Sequence, residues 1–273
     1  MKILLMSDLH FCHSVWYNMD AVTRMEHMIA ELNRAYEQEP YEAILFLGDY
    51  SLDFWGWSIG GCYVHDKYSY TERFVKEILP RLHCKNPYMI PGNHEQYSNA
   101  DWVRITGGDR QFSLVLGDVL YLMLDTFAGE LDPDYDSDGV YTGADVGYIR
   151  SEMEKYPDLP VVLCSHYFDL KKESDAFQAL VKDPRVVCMF CGHEHICIAE
   201  CGKEAYGGKL MLHTGNYSYA GCALCDCMYG WREVTVKDGY LSTAYYTPKM
   251  CIQADGMTVE CEDTKHASLT FKL

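Results

Sequence analysis

The chain has 273 residues, of which 48% are hydrophobic and 23% are charged, a balance typical of a folded globular protein that excludes wholesale disorder and fibrous repeats. Its 23 basic and 40 acidic residues leave a net charge of −17. Because such a surface repels a phosphate backbone, we expect no long nucleic acid as a partner. A chain of this charge that acts on phosphates needs cations held inside it.

Apolar runs and apolar residues at helical spacing predict an alternation of strands and helices. The predicted strands span, in chain order, residues 2–6, 43–47, 88–90, 112–116, 119–124, 160–164, 186–190, 209–213, 231–236 and 240–246. The predicted helices span residues 19–39, 71–79, 144–156 and 174–181. Gly117-Asp118 predicts a hairpin between two of the strands. Since no linker or internal repeat interrupts the pattern, we expect a single domain over residues 1–273.

Two segments have no clear helical or strand period. Residues 51–70 are rich in Trp, Tyr and Gly and predict a loop or lid. Within it, Phe54-Trp55-Gly56-Trp57 either stacks on a nucleobase or aryl group or covers the sheet edge. Residues 130–140 alternate Asp with other residues but lack the Glu that closes a calcium-binding EF-hand loop, so we interpret them as a solvated loop.

Side chains that bind metals or transfer protons follow five of the predicted strands. They are Asp8 and His10, Asp49, Asn93 and His94, His166, and His193 and His195. Because functional groups of open α/β sheets gather at the carboxyl ends of the strands, we expect these side chains to meet at one edge. Carboxylate, imidazole and amide groups without a thiolate suit manganese, iron or zinc. The candidate ligands outnumber what one ion uses, and two ions that share a carboxylate are a standard arrangement for attack on phosphorus.

In order, the segments Asp8-x-His10, Gly48-Asp49, Gly92-Asn93-His94-Glu95, His166 and Gly192-His193-x-His195 resemble the five-block signature of the calcineurin-like metallophosphoesterases. The resemblance runs from residue 8 to residue 195. It implies an α/β fold of two packed mixed β-sheets flanked by helices, a four-layer α-β-β-α sandwich with the site at one edge.

The resemblance also implies a role for each motif residue and two divalent or mixed-valence transition metal ions as cofactors. One metal would be bound by Asp8, His10, Asp49 and His195, and the second by Asp49, Asn93, His166 and His193. Asp49 would bridge the two ions, and a hydroxide that also bridges them would attack the phosphorus. His94 would contact the phosphate and protonate the leaving oxygen.

The expected function is that of a cytoplasmic hydrolase, a phosphatase or phosphodiesterase acting on a small phosphorylated substrate. The alternative is a scaffold or interaction protein that keeps this fold without catalysis. Protein phosphatases of the family continue Gly-Asp with Val-Asp-Arg-Gly, whereas here Leu52 stands at the position of the second aspartate, which argues against that role. The sequence predicts no oligomeric state.

Thirteen cysteines would suggest a disulfide framework in a secreted miniprotein, but this chain is too long for that class. The first apolar run ends at Met6, too early for a signal peptide, and no run approaches the roughly 18–20 apolar residues of a membrane helix. We therefore expect mostly free thiols, no membrane partner and a cytoplasmic location. A structural zinc site stays open as an alternative, built on Cys188-x-x-Cys191 or on Cys222, Cys225 and Cys227 with a fourth ligand such as Cys197 or Cys201.

The roles of several residues near the motifs stay open. Glu95 either supports a ligand histidine or begins a following helix, and Cys12 either faces the site or packs in the core. Asn216 is expected at the rim of the site, with His213 either supporting a ligand or buried in the core. Arg73, Arg104 and Arg110 either contact phosphate or are solvated.

Overall fold

The structure is a computed structural model and describes residues 1–12, 15–16, 19–54, 69–127, 139–169, 171–201, 207–218, 229–254, 257–261 and 264–273. Its strands are β1 (Lys2–Met6), β2 (Val15–Trp16), β3 (Met19–Asp20), β4 (Ala43–Leu47), β5 (Pro87–Ile90), β6 (Phe112–Leu116), β7 (Val119–Leu124), β8 (Val161–Ser165), β9 (Val186–Cys191), β10 (Ala199–Cys201), β11 (Leu210–His213), β12 (Trp231–Lys237), β13 (Tyr240–Thr247), β14 (Met250–Ala254), β15 (Met257–Cys261) and β16 (Thr264–Lys272). Its α-helices are α1 (Ala21–Gln38), α2 (Tyr70–Arg73), α3 (Asn99–Thr106), α4 (Val146–Lys155) and α5 (Asp175–Val181).

Most described strands belong to two six-stranded mixed sheets. The first sheet has the order β16-β13-β12-β1-β4-β5, in which β1, β4 and β5 are parallel and the other neighbours are antiparallel. The second has the order β10-β11-β9-β8-β7-β6, in which β7, β8, β9 and β11 are parallel. The parallel strands therefore direct their carboxyl ends to a common edge of each sheet.

Apolar side chains pack between the two sheets and on both outer faces. Ile3 and Leu45 of the first sheet belong to the same buried cluster as Val162 and Phe190 of the second. The alternate residues of the first sheet pack against α1 and α3, and those of the second against α4 and α5. This strand alternation gives four layers in the order α-β-β-α, which confirms the fold predicted from the sequence.

Most predicted elements are present with small changes at their ends. The turn at Gly117-Asp118 has positive φ at both residues, 56° and 61°, as the tightest hairpin turns require. The helix predicted at 71–79 begins as α2 and continues as a π-helical turn, Phe74–Ile78, and a 3₁₀ turn, Leu79–Arg81, near Pro80, which has no N–H to donate.

The sequence prediction did not place α3 or the strands β2, β3, β10, β14, β15 and β16. Helix α3 has only eight residues, between its N-cap Ser98, whose side chain accepts from the N–H of Asp101, and Gly107 in the left-handed conformation. Among the described residues, no helix has the length and apolar character needed to cross a membrane.

Candidate metal centre

The loops after β1, β4, β5, β8 and β9 bring all seven predicted metal ligands and His94 to one place. The two sheet edges meet there, since His166 Nδ1, after β8, lies 2.6 Å from the carbonyl oxygen of Leu47 at the end of β4. Ligand atoms within 4.8 Å of one another form three groups: Asp8, His10 and His195; His10, Asp49 and His94; and Asp49, His166 and His193. Asp49 thus belongs to two groups, as does His10.

The backbone at this site is strained. Five of the seven predicted ligands have a positive φ, a conformation that residues other than glycine rarely adopt: Asp8 (57°), His10 (44°), Asp49 (58°), His193 (69°) and His195 (59°). The other described non-glycine residues with positive φ are Asp118 and Asp238, both in tight turns between strands. Each such residue costs on the order of 1–3 kcal/mol, and strain of this kind concentrates at functional sites.

Asp8 is fully buried and is held from two sides. One carboxylate oxygen lies 3.1 Å from His195 Nε2. The other accepts hydrogen bonds from the backbone N–H of His193, at 3.0 Å, and from the Ser7 hydroxyl. Burial raises the pKa of Asp8, but the charge and hydrogen bond of His195, together with the charge of His166, lower it to about 2. The side chain is therefore a carboxylate.

Asp49 presents one carboxylate oxygen to three imidazoles. Asp49 Oδ2 lies 3.2 Å from Nε2 of His166, 3.4 Å from Nε2 of His10 and 3.7 Å from Nε2 of His94. Its other oxygen accepts from the backbone N–H of His94 at 3.1 Å. Burial raises the pKa of Asp49, but the surrounding imidazoles hold it well below its usual value. A single oxygen so placed suits a bridging ligand.

Asn93 joins the two histidines of the remaining group. Its Oδ1 lies 2.9 Å from His166 Nε2 and 2.9 Å from His193 Nδ1. Because the Leu47 carbonyl only accepts, His166 donates to it from Nδ1, and this contact fixes the ring with Nε2 toward Asp49 and Asn93.

The residues fit the cations that the sequence predicts. Within the described chain, the ion pairs of the buried Asp8 and Asp49 carboxylates are all with histidines. Burial lowers the pKa of His10 to about 4, so its imidazole is neutral and can donate a lone pair. Burial also lowers the pKa of His166, but Asp49 raises it to about 10, so a proton there balances carboxylate charge. Metal ions among these nitrogens would supply that positive charge instead.

The role of Glu95 differs from both alternatives offered by the sequence. Its buried carboxylate accepts hydrogen bonds from the backbone N–H groups of Asp49 (2.7 Å), Gly92 (2.8 Å), Tyr50 (2.9 Å) and Ser51 (3.3 Å). These partners are backbone groups and not a histidine ring, and Glu95 lies before α3, so it does not begin that helix. Burial and the charge of Asp49 raise its pKa to about 8, against the effect of the N–H donors. Glu95 therefore ties the loop that carries Asp49 to the loop that carries Asn93.

The sequence reading missed Arg24, which supports the first loop. Its buried guanidinium donates to the carbonyl oxygens of Leu9 at 3.0 Å, His10 at 3.2 Å and Tyr217 at 3.4 Å. The signal was available in the sequence, because an arginine four residues before Met28 stands on the apolar stripe of α1.

Other residues with open roles are now placed. The amide of Asn216 is buried and donates to the His195 carbonyl at 3.2 Å, so it supports a ligand segment. Cys12 is buried, and buried His213 has its Nδ1 at 3.6 Å from the sulfur of Cys191, which favours the core alternative for both. The three arginines contact carboxylates: Arg73 with Glu77, Arg104 with Asp101, and Arg110 with Asp125.

The predicted cysteine site gains no support from the described part of the chain. Cys188 packs between the sheets while Cys191 packs on the opposite face of β9, so the two do not converge. The three metal-capable groups of described residues contain no cysteine. Cys222, Cys225 and Cys227 lie outside the described residues, as do Trp55 and Trp57, whereas Phe54 is buried against Tyr97.

The fold and the site define an α-β-β-α protein with a histidine and carboxylate cluster at its strand ends. A family model for calcineurin-like phosphoesterases matches residues 1–197. The chain belongs to this family, which binds divalent metal ions.

The chain is similar to several solved structures at low sequence identity, of which the purple acid phosphatase shares its fold. Purple acid phosphatase PPD1 from yellow lupin (Lupinus luteus) is 14% identical with a TM-score of 0.54, and the match covers 100% of this chain and 53% of that chain. Vps29 from Chaetomium thermophilum is 14% identical with a TM-score of 0.46, covering 100% of this chain and 97% of that one. Vps29 from Entamoeba histolytica complexed with zinc is 14% identical with a TM-score of 0.43, covering 97% and 99%. No curated protein matches the sequence.

Proposed function

We propose that this protein is a dinuclear metal-dependent phosphoesterase that hydrolyses a small phosphomonoester or phosphodiester. The observation that carries the proposal is the position of Asp49 Oδ2, which lies 3.4 Å or less from the ring nitrogens of both His10 and His166. These histidines belong to two different ligand groups, so one carboxylate oxygen is shared between two potential cation sites.

The assignment of ligands uses the first and the last of the three groups, and the middle group contributes only its shared members His10 and Asp49. Asp8, His10 and His195 hold one cation together with Asp49, and Asn93, His166 and His193 hold the second together with Asp49. Bound cations of this kind neutralise charge on a phosphoryl group. They also lower the pKa of bound water, so that it ionises near neutral pH. The protein contributes fixed positions, since Glu95 and Arg24 hold the backbone of the loops that carry Asp49 and His10.

We assign the general acid to His94. Its backbone N–H is anchored on Asp49 Oδ1 at 3.1 Å, and its ring stands edge-on to His10 at a centroid distance of 5.3 Å. The ring thus lies beside the shared carboxylate without belonging to the assigned ligands. From there it donates a proton to the leaving oxygen of the ester, a step that typically contributes about 10²- to 10⁴-fold to a rate.

The net charge of −17 and the pairing of Arg73, Arg104 and Arg110 with carboxylates support a small substrate, because no long polyanion is attracted to such a surface. We also propose a cytoplasmic enzyme. The six cysteines with described side chains and no disulfide, all of them buried, agree with a reducing compartment.

The test is hydrolysis of p-nitrophenyl phosphate and bis(p-nitrophenyl) phosphate by metal-stripped protein, with Mn²⁺, Fe²⁺ or Zn²⁺ restored. We expect turnover only with added metal and loss of turnover in Asp49→Ala. The control is Asp158→Ala, an exposed carboxylate in the turn before the amino-terminal end of β8, whereas the site residues follow the carboxyl ends of their strands; this variant should keep full activity.

Two results would oppose the proposal in different ways. Equal turnover with and without metal would show that the metals are not needed. Two bound metals without turnover of either ester would favour the alternative of a non-catalytic scaffold. The preferred ester, where turnover is seen, separates a phosphatase from a phosphodiesterase.

A further inference from the structure

Three aromatic side chains border the group of Asp49, His166 and His193. The ring of Tyr167 lies on the ring of His193 at a centroid distance of 4.4 Å, and Phe127 lies 5.9 Å from His166. Tyr141 contacts both Phe127 at 5.6 Å and Tyr167 at 5.8 Å. These three rings, Phe127, Tyr141 and Tyr167, are called the aromatic wall.

The two tyrosines of the aromatic wall are not part of the packed interior, whereas Phe127 is buried. Tyr141 and Tyr167 are half-buried, and neither belongs to the three apolar clusters of the described chain. His193, against which Tyr167 packs, is itself only partly buried. The wall therefore lies where the metal centre opens to solvent, and half-exposed aromatic rings at such a place suit ligand contact.

Hydrogen bonds hold the Tyr141 ring and the backbone of Tyr167 in place before any ligand arrives. The Tyr141 hydroxyl donates to Glu173 at 2.5 Å and accepts from the backbone N–H of Asp169 at 3.0 Å. The carbonyl oxygen of Tyr167 accepts from the Thr126 hydroxyl at 2.9 Å. A fixed ring loses little conformational freedom when a second ring stacks on it, which favours binding.

We propose that the aromatic wall determines substrate class: Tyr167, backed by Tyr141 and Phe127, stacks on a flat ring in the alcohol part of the ester, as in a nucleotide or an aryl phosphate. This inference rests on the proposed phosphoesterase function. The inference follows from the position of Tyr167. A ring that packs on a proposed ligand histidine lies within reach of the group esterified to a phosphate at that centre. Stacking of a base on an aromatic side chain contributes roughly 5- to 100-fold to affinity.

The test compares adenosine 5′-monophosphate with ribose 5-phosphate, which share the phosphate and the primary alcohol and differ only in the base. We expect wild-type kcat/KM to favour the nucleotide by about tenfold or more, mainly through KM. Tyr167→Ala should reduce this ratio toward one, mainly by raising KM for the nucleotide. Tyr167→Phe should keep the ratio, because the ring and not the hydroxyl stacks. Tyr240→Ala, at a residue 48% exposed on β13, is the matched control.

Binding separates a failure of this inference from a failure of the proposed function. Dissociation constants of the two compounds are measured by calorimetry on His94→Ala protein and on the His94→Ala, Tyr167→Ala double variant, in both cases with Mn²⁺. If wild type hydrolyses neither compound yet the nucleotide binds more tightly through Tyr167, the stacking site stands and the phosphoesterase proposal is weakened. Two results would overturn the aromatic wall as a determinant of substrate class. One is an equal loss of kcat/KM for both compounds in Tyr167→Ala, and the other is an equal affinity of His94→Ala protein for both compounds.

Discussion

The substitution Gly48→Ala tests whether close backbone approach builds the metal centre. Gly48 has a φ of 91°, and a β-carbon there would lie 2.6 Å from both the N and the Cα of Gly92. The same atom would lie 2.8 Å from Nδ1 of His166. Two of these three neighbours are backbone, so the methyl group cannot be accommodated by a side-chain rotation. The loops after β4 and β5 must move apart.

The expected magnitude has two parts. A left-handed conformation at a residue with a β-carbon costs about 1–2 kcal/mol, and forcing an extra methyl group into a packed site costs about 1–3 kcal/mol more. We therefore expect Gly48→Ala to lower the free energy of unfolding by about 2–5 kcal/mol, a large part of the roughly 5–15 kcal/mol that a domain has in total. Because the clash displaces Asn93 and His166 as well, the affinity for the second metal should fall with stability.

Substitutions at two other glycines measure the cost of the left-handed backbone conformation separately from the cost of the steric clash. Gly239 has a φ of 76° with no atom within 4 Å of its β-carbon position, so Gly239→Ala should cost only the strain, about 1–2 kcal/mol. Gly108 has neither a positive φ nor a neighbour within 4 Å, so Gly108→Ala should change stability by about 0.5 kcal/mol or less, or stabilise slightly. Urea unfolding of metal-free protein and Mn²⁺ titration of the folded protein measure both effects. A loss in Gly48→Ala no larger than that in Gly239→Ala, with unchanged Mn²⁺ affinity, would refute the reasoning.

Three further predictions concern residues of the metal centre. Asp49→Ala should lose both metals together, since its carboxylate belongs to two ligand groups, and elemental analysis that still finds two ions would contradict the bridge. His94→Ala should keep both metals but lose turnover by about 10²-fold or more, most strongly for esters with poor leaving groups. His195→Gly should be more stable than His195→Ala by about 1–2 kcal/mol, because φ is 59° there. In the middle of α1, Ala30→Gly should be less stable than wild type by about 1 kcal/mol. If Ala is more stable than Gly at position 195 as well, the backbone at His195 is not strained.

The sequence predicts most of the fold because its apolar runs have the length of complete buried strands. Strand β4 is apolar at every position and β8 at every position except its last, Ser165, which is the pattern of strands covered on both sides. The site follows from the same pattern. Each ligand segment comes directly after such a run, and parallel strands that end at one edge bring distant segments together without any further signal.

The parts that were missed depend on pairing between distant segments. No sequence pattern distinguishes the backbone contacts of Glu95 from those of any other glutamate, since its four donors come from Gly92 and from residues 49–51, more than forty positions earlier. The short helix α3 offers too few turns for a clear apolar period, although Ser98 and Gly107 mark its ends. The aromatic wall likewise forms from Phe127, Tyr141 and Tyr167, which are far apart in the sequence and share no spacing.

The strain and the charge of the site have a common explanation. A fold that only needed stability would not place two buried carboxylates among histidines, nor hold Asp8, His10 and Asp49 in left-handed backbone conformations. Both features lower the stability of the metal-free protein, and both place oxygen and nitrogen lone pairs toward common points. Cations bound at those points would offset the charge and stabilise the strained loops, so metal binding should raise the free energy of unfolding. The local departures from ordinary backbone and burial preferences are therefore the feature of this chain that most directly argues for a metal centre.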